Sequence, residues 1–199
     1  KNKEKLIVSY KSTDVTSELR SEIIAKSASE HSSKKEVREA LFNIQRNFYD
    51  GGGLDVAFLS FAEIDKNGNV NVSRFGNRND GAGGFINIAQ GAKKVVFSGT
   101  LTGGGLSTSI VKGNLKINKE GKNKKFVNKV NQITFSSKDG IKRGQSIFFN
   151  TDRGLFKIIN GKITLVEVAR GVRIKEDIID QIPFKINISK NLKKISKNI

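Results

Sequence analysis

Residues 48–76 read FYDGGGLDVAFLSFAEIDKNGNVNVSRFG, and after Asn77-Arg78-Asn79-Asp80 the chain continues GAGGFIN from Gly81 to Asn87. Leu54 to Ile64 is a long apolar run broken only by small or single polar residues. That is the pattern of a strand buried on both faces of a sheet. Asp65-Lys66-Asn67-Gly68-Asn69 holds the Asn-Gly pair that favours a hairpin turn, and Val70 and Val72 continue on its far side. Gly81 to Gly84 form a glycine-rich loop that leads into a helix from Phe85 to Ala92. A loop of this kind presents backbone N–H groups to an anion or a developing oxyanion. The same glycines can instead serve only a close strand-to-helix crossing. Spacing alone does not separate the two roles.

The rest of the composition narrows the chemistry. At 199 residues with 36% hydrophobic content, one domain with a real core is expected. No apolar run reaches the roughly 18 residues needed to cross a bilayer, so no membrane partner is expected. Without cysteine there is no disulfide, no cysteine nucleophile and no thiolate metal site. The single histidine, His31, lies in a polar run and has no second imidazole to complete a zinc site, so no metal is expected. Methionine is absent even at position 1, where the chain begins Lys1-Asn2-Lys3, which reads as a piece of a longer product.

A formal charge of +17 invites a nucleic-acid reading. Its distribution argues against it. Lys112 to Lys129 holds seven lysines and one glutamate, and Lys185 to Lys197 holds five lysines and no acid. Neither segment has the interleaved aromatics of a single-strand platform or an RNA-binding sheet. Solvated surface charge, or contact with a polyanionic nucleotide cofactor, is the expected use.

Three parts are expected: a divergent helical segment over 1–47, an α/β domain over 48–184 and a frayed basic tail over 185–199. In the first part, Leu6-Ile7-Val8 reads as a short strand. Ser17 to Ala28 reads as a helix, and a second helix from Lys34 carries Val37, Leu41 and Ile44 on one face. Later, Lys94 to Thr100 is a buried strand. Hairpins are expected around Lys112-Gly113, around Thr151-Asp152-Arg153 and around Asn160-Gly161, with a further strand over Phe126 to Phe135. Ile174 to Ile182 reads as an amphipathic helix stopped by Pro183.

Several phrases, taken in order, resemble the C-terminal half of the family I CoA-transferases, the acetate/propionate and 3-oxoacid type. Besides Phe48 to Asn87 these are Gln90-Gly91-Ala92-Lys93-Lys94-Val95-Val96-Phe97, Glu120-Gly121 followed by Lys125-Phe126-Val127, and Gln132 to Ser136. Thr151-Asp152-Arg153-Gly154-Leu155-Phe156 resembles the family's TERAVF phrase with Asp152 in place of glutamate. Leu165 to Ala169 with Gly171 resembles LxEIAPG, with Arg170 where proline is usual. The resemblance covers roughly Phe48 to Phe184 and is specific only in combination. Ser21 to Lys26 faintly resembles the helix that opens the family's second half.

What the resemblance implies can be stated residue by residue. The fold would be an α/β half-domain: an open, largely parallel sheet flanked by helices with added β-hairpins, and incomplete. Coenzyme A would enter as the acyl-CoA co-substrate, with a short-chain carboxylate as the other substrate. The natural partner would be the complementary N-terminal half or a second copy, and the setting cytoplasmic. Gly83 and Gly84 would line the thioester site, Gly81 would supply the turn and Asn87 would hold the loop. Arg74 and Arg78 could contact a CoA phosphate. The family's nucleophilic glutamate, in a VExGxxGG-like phrase, has no counterpart here, so no catalytic residue is assigned and the chain is expected to be inactive alone. Asp55, Glu63 and Asp65 read as structural. The competing readings are a non-catalytic relic or partner-binding subunit and, less favoured, a basic nucleic-acid module.

Overall fold

The computed structural model describes residues 9–15, 26–27, 30–31, 34–37, 39 and 54–195. The chain divides into two compact units, Lys1–Phe48 and Tyr49–Ile199. In the first, β1 (Ser9–Tyr10) and β2 (Thr13–Asp14) pair antiparallel. Residues 26–27, 35–37 and 39 are helical, and His31 is exposed, its Nδ1 donating to the Ser27 carbonyl at 2.8 Å. The expected strand at Leu6–Val8, most of the helix over Ser17–Ala28, the positions Leu41 and Ile44, and Phe48–Gly53 lie outside the described residues.

The second unit begins with β3 (Leu54–Ser60), β4 (Glu63–Asp65), β5 (Val70–Asn71), β6 (Arg74–Phe75), β7 (Arg78–Asn79) and α1 (Phe85–Gly91). Then come β8 (Ala92–Ser98), β9 (Thr102–Gly103), β10 (Ser107–Val111), β11 (Asn114–Lys119), β12 (Asn123–Lys124) and β13 (Phe126–Val127). It closes with α2 (Ser137–Lys142), β14 (Ser146–Asn150), β15 (Gly154–Ile159), β16 (Lys162–Val168), two short helical turns and β17 (Asn187–Lys194). Six strands form the central sheet in the order β17-β16-β15-β14-β8-β3. It is parallel at β16/β17, β14/β8 and β8/β3, and antiparallel at β14/β15 and β15/β16. The expected α/β sheet, largely parallel with added hairpins, is thus present.

Turn chemistry sets the antiparallel part. Asn160 and Gly161 both take positive φ, 51° and 72°, which matches the right-handed twist of β15 and β16. Between β14 and β15 the Thr151 hydroxyl donates to the Gly154 carbonyl at 2.8 Å and accepts from the Arg153 and Gly154 N–H groups. Period-2 alternation then sends Ala57, Val95, Phe97, Ile147, Phe149, Phe156 and Leu165 to one face. There Phe97 meets Phe85 of α1, Phe135 and Phe149 at ring separations of 5.7, 5.1 and 5.9 Å. Offset or tilted ring pairs like these add about 0.5–1.5 kcal/mol each beyond burial.

The opposite face corrects the expectation for Leu54–Ile64. Its strand ends at Ser60, β3 lies at the sheet edge, and it is not buried on both faces. Phe58, Val96 and Phe148 stand in direct cross-strand register, with Phe58 73% exposed and the other two half-buried. An apolar run can demand two covering layers without supplying either. Replacing Phe58 by lysine should therefore change stability by no more than about 0.5 kcal/mol. It should also reduce concentration-dependent self-association, read by sedimentation velocity; association unchanged by the substitution would remove this face as its cause.

Three further expectations are corrected. Phe126 to Phe135 forms only the two-residue β13; Val130 and Phe135 turn inward while Ile133 is 55% exposed, so an irregular path replaces the strand. Ile174 to Ile182 is a π-turn over Ile174–Ile178 followed by a 3₁₀ turn over Ile179–Gln181, and the Arg173 N–H donates to the Asp177 carboxylate at the entry at 2.8 Å. The frayed tail is instead an ordered edge strand: β17 pairs with β16, packs Leu192 on the core and turns lysines outward. Helix α2 adds an element beyond those expected; the Ser136 hydroxyl caps it by accepting from the Asp139 N–H at 3.3 Å.

Candidate functional site

The Asn67-Gly68 turn forms as its residues dictate: the Asp65 carboxylate accepts the Asn67 and Asn69 N–H groups at 2.9 and 3.0 Å. Asp65 is thereby a turn residue, while Asp55 is exposed and paired with Lys93 at 2.9 Å. From this hairpin the chain leads to the glycine loop, whose base is held by a polar residue that sequence reasoning does not single out. Fully buried Asn71 donates to Glu63 and to the Arg74 carbonyl, both at 2.7 Å, and accepts from the Ser73 and Arg74 N–H groups. The Ser73 carbonyl in turn accepts the Asp80 and Gly81 N–H groups at 2.8 and 3.1 Å. Gly81 takes φ +75° at this point of the chain.

Gly83 and Gly84 are exposed, and among the described residues their N–H groups meet no acceptor. Phe85 anchors the loop by stacking on Phe97, so the two glycines project from a fixed base. Gly83 has φ +53° with open space where a side chain would stand, while Gly84 has φ −79°. Asn87 departs from expectation: it is exposed and makes no side-chain hydrogen bond among the described residues, so it does not hold the loop. Arg74 and Arg78 flank the loop on the β6–β7 hairpin. Arg74 Nε donates to the Gly76 carbonyl at 3.4 Å; Arg78 pairs with Asp80 at 2.8 Å and lies over the Phe75 ring.

A second polar cluster sits in the core. The Arg153 side chain is wholly buried and forks onto Glu120, Nη1 to Oε2 at 2.9 Å and Nη2 to Oε1 at 2.6 Å. Its remaining donors reach the Asp177 carbonyl, the Thr102 hydroxyl and Asp152. Thr102 donates a short hydrogen bond to Glu120, and the Gly121 N–H donates to Glu120 at 3.1 Å. A Cβ at Gly121 would overlap the Gly103 carbonyl oxygen, which is why glycine follows the glutamate here. The cluster ties the Glu120-Gly121 and Thr151-Asp152-Arg153 phrases into one structural lock. Glu120, the only glutamate followed by glycine in this chain, is thus held as an ion-pair partner.

Burial by itself would push the Glu120 carboxyl up, but the Arg153, Thr102 and Gly121 bonds together hold it below the usual glutamate range. The Arg173 hydrogen bond likewise lowers Asp177, against the opposing effect of burial. A carboxyl lowered in the folded state contributes stability that is complete above its unfolded pKa, about 4. That contribution disappears as pH falls through the lowered folded value. The urea midpoint should therefore drop as pH is taken below about 4. Glu120→Gln should flatten part of that drop, and an unchanged pH profile in the variant would remove Glu120 from the acid transition.

The comparisons with known proteins bear on this geometry. No family model matches the chain. The acetate CoA-transferase YdiF of Escherichia coli strain K12 is 44% identical over 155 residues, spanning 78% of this chain and 29% of that protein. The caffeate CoA-transferase of Acetobacterium woodii is 45% identical over 158 residues, 77% of this chain and 30% of that protein. The crystal structure of YdiF from Escherichia coli O157:H7 as a thioester complex with CoA superposes with a TM-score of 0.75 at 44% identity, over 77% of this chain and 30% of that one. The chain is a partial match to CoA-transferases.

It spans about 30% of the length of the curated relatives it matches. Glutaconate CoA-transferase from Acidaminococcus fermentans, at 19% identity and a TM-score of 0.55 over 82% of this chain and 60% of that one, shares the fold. Within the matching segment, sequence reasoning picks out the glycine loop and misses the residues that brace it. Asn71 has near partners but no periodic or motif signal, and Thr134, whose hydroxyl accepts the Val72 N–H at 3.2 Å and meets the Ser73 hydroxyl at 2.8 Å, joins the brace from about sixty positions away. Arg153 does carry a signal: an arginine between two apolar strand runs needs a buried counter-charge.

Proposed function

We propose that this chain is the C-terminal part of a CoA-transferase that moves CoA between an acyl-CoA and a short-chain carboxylic acid, and that it is inactive alone. The observation that carries this reading is the exposed pair Gly83 and Gly84, whose N–H groups meet no acceptor among the described residues, in a segment 44% identical to an acetate CoA-transferase. A glutamate supplied from outside this segment would attack the thioester carbonyl. The C–S bond breaks, CoA leaves as thiolate and a mixed anhydride forms. Attack of the thiolate on the glutamyl carbonyl then releases the carboxylate and leaves a glutamyl-CoA thioester, which a second carboxylate consumes by the reverse sequence. Each attack places negative charge on a carbonyl oxygen. The role of Gly83 and Gly84 is to meet that charge with preorganised N–H donors. Arg74 and Arg78 serve as the candidate contacts for CoA phosphates.

The test is a graft. Residues 54–195 of this chain replace the matching segment of the Escherichia coli acetate CoA-transferase, and acetyl-CoA-to-propionate transfer is measured with borohydride trapping of any glutamyl-CoA thioester. The expected result is transfer by the graft and none by the isolated chain. A folded graft without transfer would favour a non-catalytic relic or a partner-binding role. Turnover by the isolated chain with a trapped glutamate would place a nucleophile inside it.

A further inference from the structure

The sequence holds two Asn-Gly pairs, Asn67-Gly68 and Asn160-Gly161, and both lie in turns. Glycine after asparagine leaves the following backbone nitrogen uncrowded, and so open to bond with the asparagine side-chain carbonyl. The fold treats the two pairs differently. At the first, the Gly68 N–H donates to the Asp65 carbonyl at 2.8 Å, and the Gly68 carbonyl accepts from the Ser137 hydroxyl at 2.7 Å. Gly68 is buried, and a Cβ there would overlap Ile158 Cδ1 and Ser137 Oγ. The Asn67 N–H is held as well, by the Asp65 carboxylate at 2.9 Å. The Gly68 nitrogen reaches the Asn67 side chain only if this turn comes apart.

The second pair has none of these restraints. Asn160 and Gly161 are both exposed at the tip of the β15–β16 hairpin, and a Cβ at Gly161 would meet no atom within 4 Å. Among the described residues the Gly161 N–H meets no acceptor and the Asn160 side chain makes no hydrogen bond. Bringing the nitrogen onto the Asn160 side chain takes a backbone rotation at the hairpin tip, an opening at the low end of local unfolding costs. Charge favours the same pair. Lys162, Lys185 and Lys190 line the groove beside the turn with Asn160, no acid lines it, and none of the three lysines pairs with an acid among the described residues. Positive charge there favours both the deprotonated amide that attacks and the carboxylate that results.

We propose that Asn160-Gly161 is a site of self-modification, at which the chain loses ammonia and gains a carboxylate. The Gly161 nitrogen gives its proton to solvent and bonds to the Asn160 side-chain carbonyl carbon. The bond from that carbon to the amide nitrogen breaks, and the leaving nitrogen takes up a proton and departs as ammonia. Water then opens the five-membered imide at either carbonyl. Opening at the side-chain carbonyl gives aspartate; opening at the main-chain carbonyl gives isoaspartate, which lengthens the backbone by a methylene. Either product sets a carboxylate among the three lysines, and isoaspartate also breaks the paired positive-φ geometry that joins β15 to β16. Water is the only co-reactant, so the reaction proceeds whether or not the segment takes part in CoA transfer.

The test keeps the full chain in warm, mildly alkaline buffer and samples it over weeks by cation-exchange chromatography and peptide mass spectrometry, with isoaspartyl methyltransferase labelling for isoaspartate. An early-eluting species is expected, with conversion at Asn160 at least about tenfold faster than at Asn67. In urea the two sites should convert at similar rates, which assigns the difference to the fold. Asn160→Gly, which accepts the positive φ, should remove the early-eluting species and leave the Asn67 peptide as it was. Equal conversion at both sites of the folded chain, faster conversion at Asn67, or the same preference persisting in urea would each overturn the proposal. So would an Asn160 that stays intact while the unfolded chain reacts. If Asn160→Gly fails to fold, comparing the two peptides of the parent chain still decides.

Discussion

Replacing Arg153 by methionine is expected to lower the unfolding free energy by about 3 kcal/mol, measured by urea denaturation of the full chain at neutral pH. The side chain is wholly buried, and its donors face Glu120, Thr102, Asp152 and the Asp177 carbonyl. Methionine keeps much of the volume and removes every donor, leaving the Asp177 carbonyl without that partner. The loss falls at the lower end of the roughly 3–5 kcal/mol typical of a broken buried pair, because the Glu120 side chain is 34% exposed and can be rehydrated. Since small domains hold only about 5–15 kcal/mol in all, such a change would be plain in the midpoint. Glu120→Gln, which preserves shape, should cost less and should carry the altered acid profile. A methionine variant within about 1 kcal/mol of the parent would show the lock to be dispensable.

Substituting alanine at Gly83 or Gly84 in the grafted transferase should reduce turnover about a hundredfold, the usual loss when one oxyanion donor is displaced. The two positions separate two causes. At Gly83, with φ +53°, alanine adds backbone strain of about 1–2 kcal/mol per residue in the left-handed region, without a steric clash. At Gly84, with φ −79°, an alanine methyl would stand 3.7 Å from the nearest side-chain atom, the Ile88 Cδ1, and fits without strain. A loss at Gly84 with unchanged melting temperature would therefore report crowding of the ligand at the N–H, since no strain is introduced. Full activity in both variants would return these glycines to a purely structural role.

How much of this was legible in the chain varies by element and for identifiable reasons. Turns were legible because their determinants are local: Asn67-Gly68, Lys112-Gly113 and Asn160-Gly161 each carry a positive-φ residue where the chain reverses. Strands β14, β15 and β16 were legible from alternation between such turns. Strand β17 was not, because its lysines look solvated when read along the chain, and only pairing with β16 shows that they line an edge. Phe126 to Phe135 misled in the opposite sense: its apolar residues turn inward along an irregular path that alternation cannot distinguish from a strand.

The candidate site divides the same way. The glycine loop and the ordered phrases are properties of the sequence, and the likeness to CoA-transferases was legible from them alone. Tertiary structure alone decided that Asn71, Ser73 and Thr134 brace the loop and that Glu120 is locked to Arg153. The physical reason is range: backbone preference acts over a few residues, whereas hydrogen bonding and desolvation depend on which distant groups packing brings together.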